Sequence, residues 1–179
     1  TNFDCSAHFV KSVDDLQKTM SITPAYLVTQ DADGIQDYSQ ITMELGRRFR
    51  ALKLWFVIRA YGVAGLQKII RDHVAWAEQL AERLGAVPGI ELTSPVQLGL
   101  FSFRIRPEGT EDGEALDRLN AEFLDVVNGD GTIYLTQTVH EGRYIIRVSI
   151  GTTATSQDDI AIAFDTITRL AAPYLKTAT

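Results

Sequence analysis

Residues 45–62 read LGRRFRALKLWFVIRAYG, and the reading of this stretch governs everything around it. Behind the glycine at position 46, three arginines and a lysine are set against a nearly unbroken apolar run. Leu45, Phe49, Leu52, Phe56 and Arg59 recur at helical spacing, so one stripe of a helix is apolar for most of its length. Ala51, Leu54, Val57 and Ile58 cover much of the remainder. A helix apolar almost all round belongs in an interior or across an interface. Residues 55–58 alone would also suit a strand, but the pattern continues well past strand length, which favours a helix.

The cations Arg47, Arg48, Arg50 and Lys53 admit two readings. One is a solvated or salt-bridged first turn. The other is a seat for an anion or an acidic partner, because cations at a helix start oppose the macrodipole and need something to favour them. Nucleic acid is a poor partner for a chain with a formal net charge of -6.

Upstream, residues 1–11 read as the last strand of a larger sheet, centred on residues 5–10, with the mixed pattern of a strand covered on both faces. A strand needs neighbours and none is close in sequence, so the chain is expected to be a piece of a longer polypeptide. Residues 14–20 form a short polar segment. Residues 19–42 hold Pro24, Gly34 and several aspartates, with few large apolar residues. So long an irregular stretch is either a functional lid or a loose surface loop.

Downstream, Gly62 breaks the helix and a second one follows, with Leu66, Ile70, Val74, Ala77, Leu80 and Leu84 on one face. Gly85 and Pro88 stop it. His73 and Trp76 on this helix read as packing or surface residues. The period then changes. Phe101, Phe103 and Ile105 alternate with Ser102 and Arg104, as in a half-buried strand, and residues 90–93 can pair with it. Leu116, Leu119, Phe123 and Val127 return to helical spacing, with Asp112 as the expected cap. Residues 132–139 and 143–150 are two strands joined through a glycine-containing turn, with Tyr144, Ile146, Val148 and Ile150 on one face. Ser156 and Asp159 suggest a capping box. Ile160, Phe164, Ile167, Leu170 and Ala171 then line a closing helix. Residues 90–179 thus read as an α+β unit with helices on one face of a small antiparallel sheet.

The 179 residues, 45% hydrophobic and 22% charged, are enough for one sizeable core. The apolar runs are too short and interrupted to span a bilayer, so no membrane partner is expected. The single Cys5 cannot form an internal disulfide, which favours a reducing compartment. One cysteine and three scattered histidines give no metal-ligand pattern. No glycine-rich phosphate loop and no nucleophile elbow is present.

The block at 45–62, with TNFDC at 1–5 and PAY at 24–26, resembles the C-terminal part of the group II pyridoxal-phosphate-dependent amino-acid decarboxylases, in particular the aromatic-L-amino-acid decarboxylases. The resemblance covers essentially the whole chain. It implies an α/β fold of the PLP-dependent transferase-like type (fold type I), with pyridoxal 5'-phosphate as cofactor. Residues 1–61 would be the end of the large domain, with a mobile catalytic loop at about 19–42 and an interface helix. Residues 62–89 would be a connecting helix and 90–179 the small domain. The Schiff-base lysine would lie upstream of Thr1, so no cofactor-binding residue is assigned within the chain.

The same resemblance implies that Tyr26 is the loop tyrosine that reaches the neighbouring subunit's active site and protonates the substrate carbon after carbon dioxide leaves. A phenol can supply that proton. Related aldehyde synthases commonly carry phenylalanine there, so tyrosine favours simple decarboxylation. Gly46 corresponds to a pocket position where glycine goes with bulky aromatic substrates, for which the physical reason is room. It also reads as a helix-start glycine with no substrate role. Leu45 would be its apolar neighbour in the pocket. The chain departs from many animal members at Ser39, where arginine is usual after Asp37-Tyr38, and at Glu44, where proline is frequent. Both changes bear on pocket polarity. Arg48 and Arg50 would hold the helix start and the subunit interface. Arg147 is read as structural, because a decarboxylase gains nothing by holding the leaving carboxylate in its ground state.

The expected protein is therefore a cytoplasmic homodimeric carboxy-lyase that takes an aromatic amino acid. The alternatives are a related enzyme acting on an acidic amino acid or forming an aldehyde, and a non-catalytic binding module if these 179 residues are the whole protein.

Overall fold

The computed structural model describes residues 4–21, 38–42, 44, 46 and 48–175. The chain divides into two compact units, Thr1–Gly62 and Val63–Thr179.

In the first unit, residues 5–10 carry no regular structure and are mostly exposed, which corrects the strand expected there. A strand is held by its neighbours, and no described strand pairs with this segment. The polar stretch after it is a helix, α1 (Val13–Met20). Ser12 caps it by accepting the Asp15 N–H at 3.2 Å, with Asp14 and Asp15 in the first turn. A short 3-10 turn, Tyr38–Ile41, lies beside α1. The helix expected from position 45 starts later. Gly46, Arg48 and Phe49 are non-helical, and α2 runs Ala51–Gly85. Clustered cations are a poor helix start, and Arg50 is instead drawn to Asp4 just before α2 begins. At Gly62 the helix is interrupted, with φ 69° and ψ 161°.

The second unit holds the core. Its sheet has strands β1 (Ile90–Leu92), β2 (Leu100–Ile105), β3 (Thr136–His140) and β4 (Arg143–Ser149), in the order β1-β2-β4-β3, all antiparallel. The β3–β4 hairpin turns through Glu141 and Gly142 with φ 51° and 76°. Two consecutive positive φ values match the twist of the strands they join.

In register, Phe101 faces Val148 and Phe103 faces Ile146. These side chains pack with Leu80 and Leu84 of α2, Phe123 and Val127 of α3 (Glu114–Asp130), and Ile160 and Ile167 of α4 (Gln157–Leu175). Helices thus cover one face, as the apolar alternation predicts. The Arg83 guanidinium sits 3.8 Å from the Phe164 ring centroid and ties α2 to α4. His73 is buried beside Trp76, consistent with a packing role.

Two expectations change here. β2 is buried on both faces rather than one, because Ser102 and Arg104 are also buried. All their side-chain polar groups but one have partners, which makes this tolerable, and the exception is Arg104 Nε, which has none among the described residues. Ser102 bonds Thr93 and Ser94, and Arg104 lies between two carboxylates. One of those is Asp112, which therefore does not cap α3. The N-cap is Gly113, with no side-chain bond. The capping box of α4 holds, with Ser156 N–H and hydroxyl both donating to Asp159 Oδ2 at 2.8 Å.

Candidate functional site

In the first unit, a cleft of about 880 Å³ opens between three segments. Residues 4–8 form one wall, the 3-10 turn with Thr42 and Glu44 a second, and residues 48–51 with Leu54 a third, while Met20 of α1 closes the rim. The lining is mixed. Ile41, Phe49 and Leu54 are apolar, Cys5, His8 and Thr42 are polar, and Arg48 brings a cation. A cleft that offers both apolar and polar or charged groups suits a small amphiphilic ligand.

Charge holds the walls together. Arg50 Nε donates to Asp4 Oδ2 at 2.9 Å, and Lys53 Nζ lies 3.8 Å from Asp4 Oδ1. The Arg50 hydrogen bond, with the nearby Lys53 charge, holds the Asp4 carboxyl below its ordinary value. So two of the four cations at 47–53 are salt-bridged, as the first reading of that cluster has it. Arg48 has no ion pair among the described residues and faces the cleft.

The stretch that carries Tyr26 leaves and re-enters the described part at this cleft. Met20 and Tyr38, near its two ends, both line it. Ser21 Oγ donates to Gln40 Oε1 and links the ends directly. Tyr26, Pro24 and Leu45 themselves lie outside the described residues. Gly46 is described and exposed, and a Cβ built there meets nothing within 4 Å. Packing among the described residues therefore does not demand glycine at 46, and the space beside it is open. Its neighbours Glu44 and Arg48 line the cleft. Arg147 is elsewhere, on β4 in the second unit, opposite Ser102 and Thr136 and without an ion pair among the described residues.

Sequence reasoning found the stretch around 45–50 but not the wall at residues 4–8. The only available signal was opposite charge at positions 4, 50 and 53, too far apart in sequence for any local rule to pair. The Arg104–Asp117 contact was missed for the same reason. Among the described residues no group of His, Cys, Asp and Glu is placed to hold a metal ion, and no described helix is long and apolar enough to cross a membrane.

The structure thus combines a cleft-bearing segment with a small antiparallel sheet covered by helices. The family model described as "Pyridoxal-dependent decarboxylase conserved domain" matches residues 1–106. The chain belongs to the pyridoxal-dependent decarboxylase family. It is 37% identical over 166 residues to tryptophan decarboxylase 2 of Oryza sativa subsp. japonica, covering 92% of this chain and 33% of that protein. It is 35% identical to phenylacetaldehyde synthase of Arabidopsis thaliana, covering 93% of this chain and 34% of that one. The crystal structure of Oryza sativa TDC with PLP and tryptamine superposes with a TM-score of 0.79 at 30% identity, over 89% of this chain and 34% of that one. The chain spans about a third of the length of the curated relatives it matches.

Pyridoxal 5'-phosphate is the cofactor of this family. The cleft suits one wall of a site for it, with apolar side chains for a ring and Arg48 for an anionic group. It supplies no lysine, and Lys53 at the helix start is paired with Asp4. The amine that would carry the cofactor is thus not among the lining residues.

Proposed function

We propose that this chain is the C-terminal portion of a pyridoxal-phosphate-dependent decarboxylase that converts an aromatic L-amino acid to its amine and carbon dioxide, with the Schiff-base lysine upstream of Thr1. The observation that carries this reading is that the family match at residues 1–106 takes in every wall of the cleft and the whole stretch bearing Tyr26. The bound cofactor supplies the electron sink for decarboxylation. In this reading Tyr26 holds a proton and delivers it to the carbon that has lost carbon dioxide. Gly46 leaves room for an aromatic ring, and Leu45 gives that ring an apolar neighbour. The segment around Tyr26 shields the reacting carbon from water.

The functional protein in this proposal is a cytoplasmic homodimer with a shared active site. What supports the dimer is the exposed apolar start of α2, where Leu52, Leu54, Trp55, Phe56 and Ile58 all face outward. The natural substrate is a small amino acid, and neither nucleic acid nor membrane enters the reading.

The test is Tyr26→Phe in the full-length, cofactor-loaded protein, with amine, aldehyde and carbon dioxide quantified separately on an aromatic amino acid. The ring keeps its volume and loses only the hydroxyl, so amine formation should fall on the order of a hundredfold. Unchanged amine formation would remove Tyr26 from the mechanism. The second reading, an aldehyde-forming enzyme, is favoured by the similarity to phenylacetaldehyde synthase. It wins if the unsubstituted protein yields aldehyde in place of amine. A substrate panel that includes acidic amino acids addresses the other enzymatic alternative, and failure on every substrate would favour a binding module.

A further inference from the structure

The order β1-β2-β4-β3 leaves β1 and β3 at the two edges of the sheet. An edge offers unpaired backbone groups to any other strand, and folded proteins blunt it with short strands, charges, prolines or bulges. β1 is blunted in this way. It is three residues long, its Glu91 is ion-paired to Arg106, and prolines stand close by at 88 and 95. β3 is not. It reads TQTVH, without proline, glycine, lysine or carboxylate, and pairs with β4 in unbroken register over all five residues. Both of its ends are held. Asn128 bonds the N–H and the C=O of Leu135 at 2.9 and 3.1 Å, and the turn at Glu141 and Gly142 closes the other end. All of β3 is exposed. Gln137 and Val139 share the face of Ile146 and Tyr144, which packs on the core, yet Val139 is 67% exposed, so no described helix overhangs this edge.

The two-residue turn makes His140 and Arg143 a hydrogen-bonded pair, and alternation along the ladder does the same for Thr138 with Ile145 and Thr136 with Arg147. The N–H and C=O of Gln137 and Val139 therefore point away from the sheet, and no described residue bonds them. We propose that this edge pairs antiparallel with β3 of a second copy of the chain, about a two-fold axis at Thr138, so that the two sheets become one. The strand commits to a second copy because it is complementary to itself. About that axis Gln137 meets the second copy's Val139, and each such pair exchanges two backbone hydrogen bonds through the outward groups. Thr138 meets its own counterpart, a favourable cross-strand pair, and His140 meets Thr136, so no like charges are opposed. β3 is already extended and held at both ends, so pairing orders little new backbone. The contact is small beside the about 1,600 Å² of a standard stable interface, so copies should associate reversibly as concentration rises.

The experiment uses the full-length protein. Thr138→Cys sets two thiols on the axis, where facing Cα atoms of a non-hydrogen-bonded pair lie about 4.5 Å apart, within the span of a disulfide. Thr136→Cys lies on the same strand and face, but its two copies would stand roughly 13 Å apart along the strands, too far to bridge. Under mild oxidation Thr138→Cys should form covalent dimers at least about tenfold faster than Thr136→Cys. Light scattering of the unsubstituted protein should show a larger species that grows with concentration. Thr138→Lys and Thr138→Glu should each abolish it, and mixing the two variants should restore it, because the opposed charges are then complementary. Misfolding of either variant would not be repaired by mixing. Equal or absent cross-linking at 136 and 138 would overturn the proposal. So would a mixture no larger than its separate variants, or a growing species that survives Thr138→Lys. The absence of any larger species in the unsubstituted protein would overturn it too, and would leave the edge to the rest of the polypeptide or to another protein.

Discussion

Arg104 Nη2 donates to Asp117 Oδ1 at 2.6 Å, and the arginine side chain is wholly buried while the aspartate is 31% exposed. Asp112 takes the other terminal nitrogen at 3.0 Å, and Asp117 also accepts the Tyr144 N–H at 3.0 Å. One carboxylate thus neutralises a charge in β2 and satisfies the backbone of β4. Asp117→Ala should destabilise by about 3 kcal/mol, because it leaves the buried Arg104 with Asp112 as its remaining carboxylate partner and unpairs the part-buried Tyr144 N–H. Arg104→Met removes the charge itself and should cost less. Urea unfolding of both variants checks the order, and the reverse order would contradict this account.

Asn120 is fully buried on α3 and makes three hydrogen bonds. It accepts the Ile105 N–H at 2.8 Å and donates to Ile105 O at 3.0 Å and Leu116 O at 2.9 Å. Asn120→Leu is similar in volume yet leaves the N–H and C=O of Ile105 unpaired. A loss of about 2 to 4 kcal/mol is expected, since each orphaned buried group costs about 1 to 3. A shift in the denaturant midpoint at constant slope would register it. A neutral substitution would mean that water or a relaxed backbone replaces the amide.

Asp159 titrates below its ordinary 3.8, chiefly because the Ser156 hydroxyl and N–H bond its carboxylate. A depressed native value means that the stabilisation is present above pH 3.8 and is lost as pH falls through the lower, native value. The stability gap between the wild type and Asp159→Ala should therefore be flat from neutral pH down to about 4 and close in stronger acid. Asp130 behaves alike, held low first by Thr132 and then by Arg169. Chemical denaturation at several pH values measures both. A gap that widens in acid would refute the assignment.

The exposed start of α2 sets an expectation for assembly. Trp55 is 54% and Phe56 57% exposed, and so much adjacent aromatic surface needs a partner. Sedimentation of the full-length protein should give a dimer at micromolar concentration. Charged replacement of Phe56 should weaken it, and an active monomer would count against the proposed interface.

How much of this was legible depended on the range of the forces involved. The hairpin turn at Glu141–Gly142, the capping box at Ser156 and the break at Gly62 were readable because local backbone chemistry sets each of them. The helix stripe at Ala77, Leu80 and Leu84 was readable because periodicity reports burial. Ser102 and Arg104 looked solvent-facing, since alternation in one strand says nothing of loops and helices folding over its far side. The apolar spacing from Leu45 placed the helix start several residues early, because Asp4, which draws Arg50 away, lies 46 positions upstream. Residues 5–10 looked like a strand from composition alone, and composition cannot supply the neighbour that a strand requires.

Gly62 has a consequence for how the molecule can be taken apart. Its φ and ψ fall where essentially only glycine is comfortable. The division between the two compact units falls at the same residue. Every buried apolar side chain among the described residues lies after it. A cut before Val63 would thus keep the whole described core on one side, and the seam for excising the second unit is marked in the backbone by a single residue whose conformation strains any side chain.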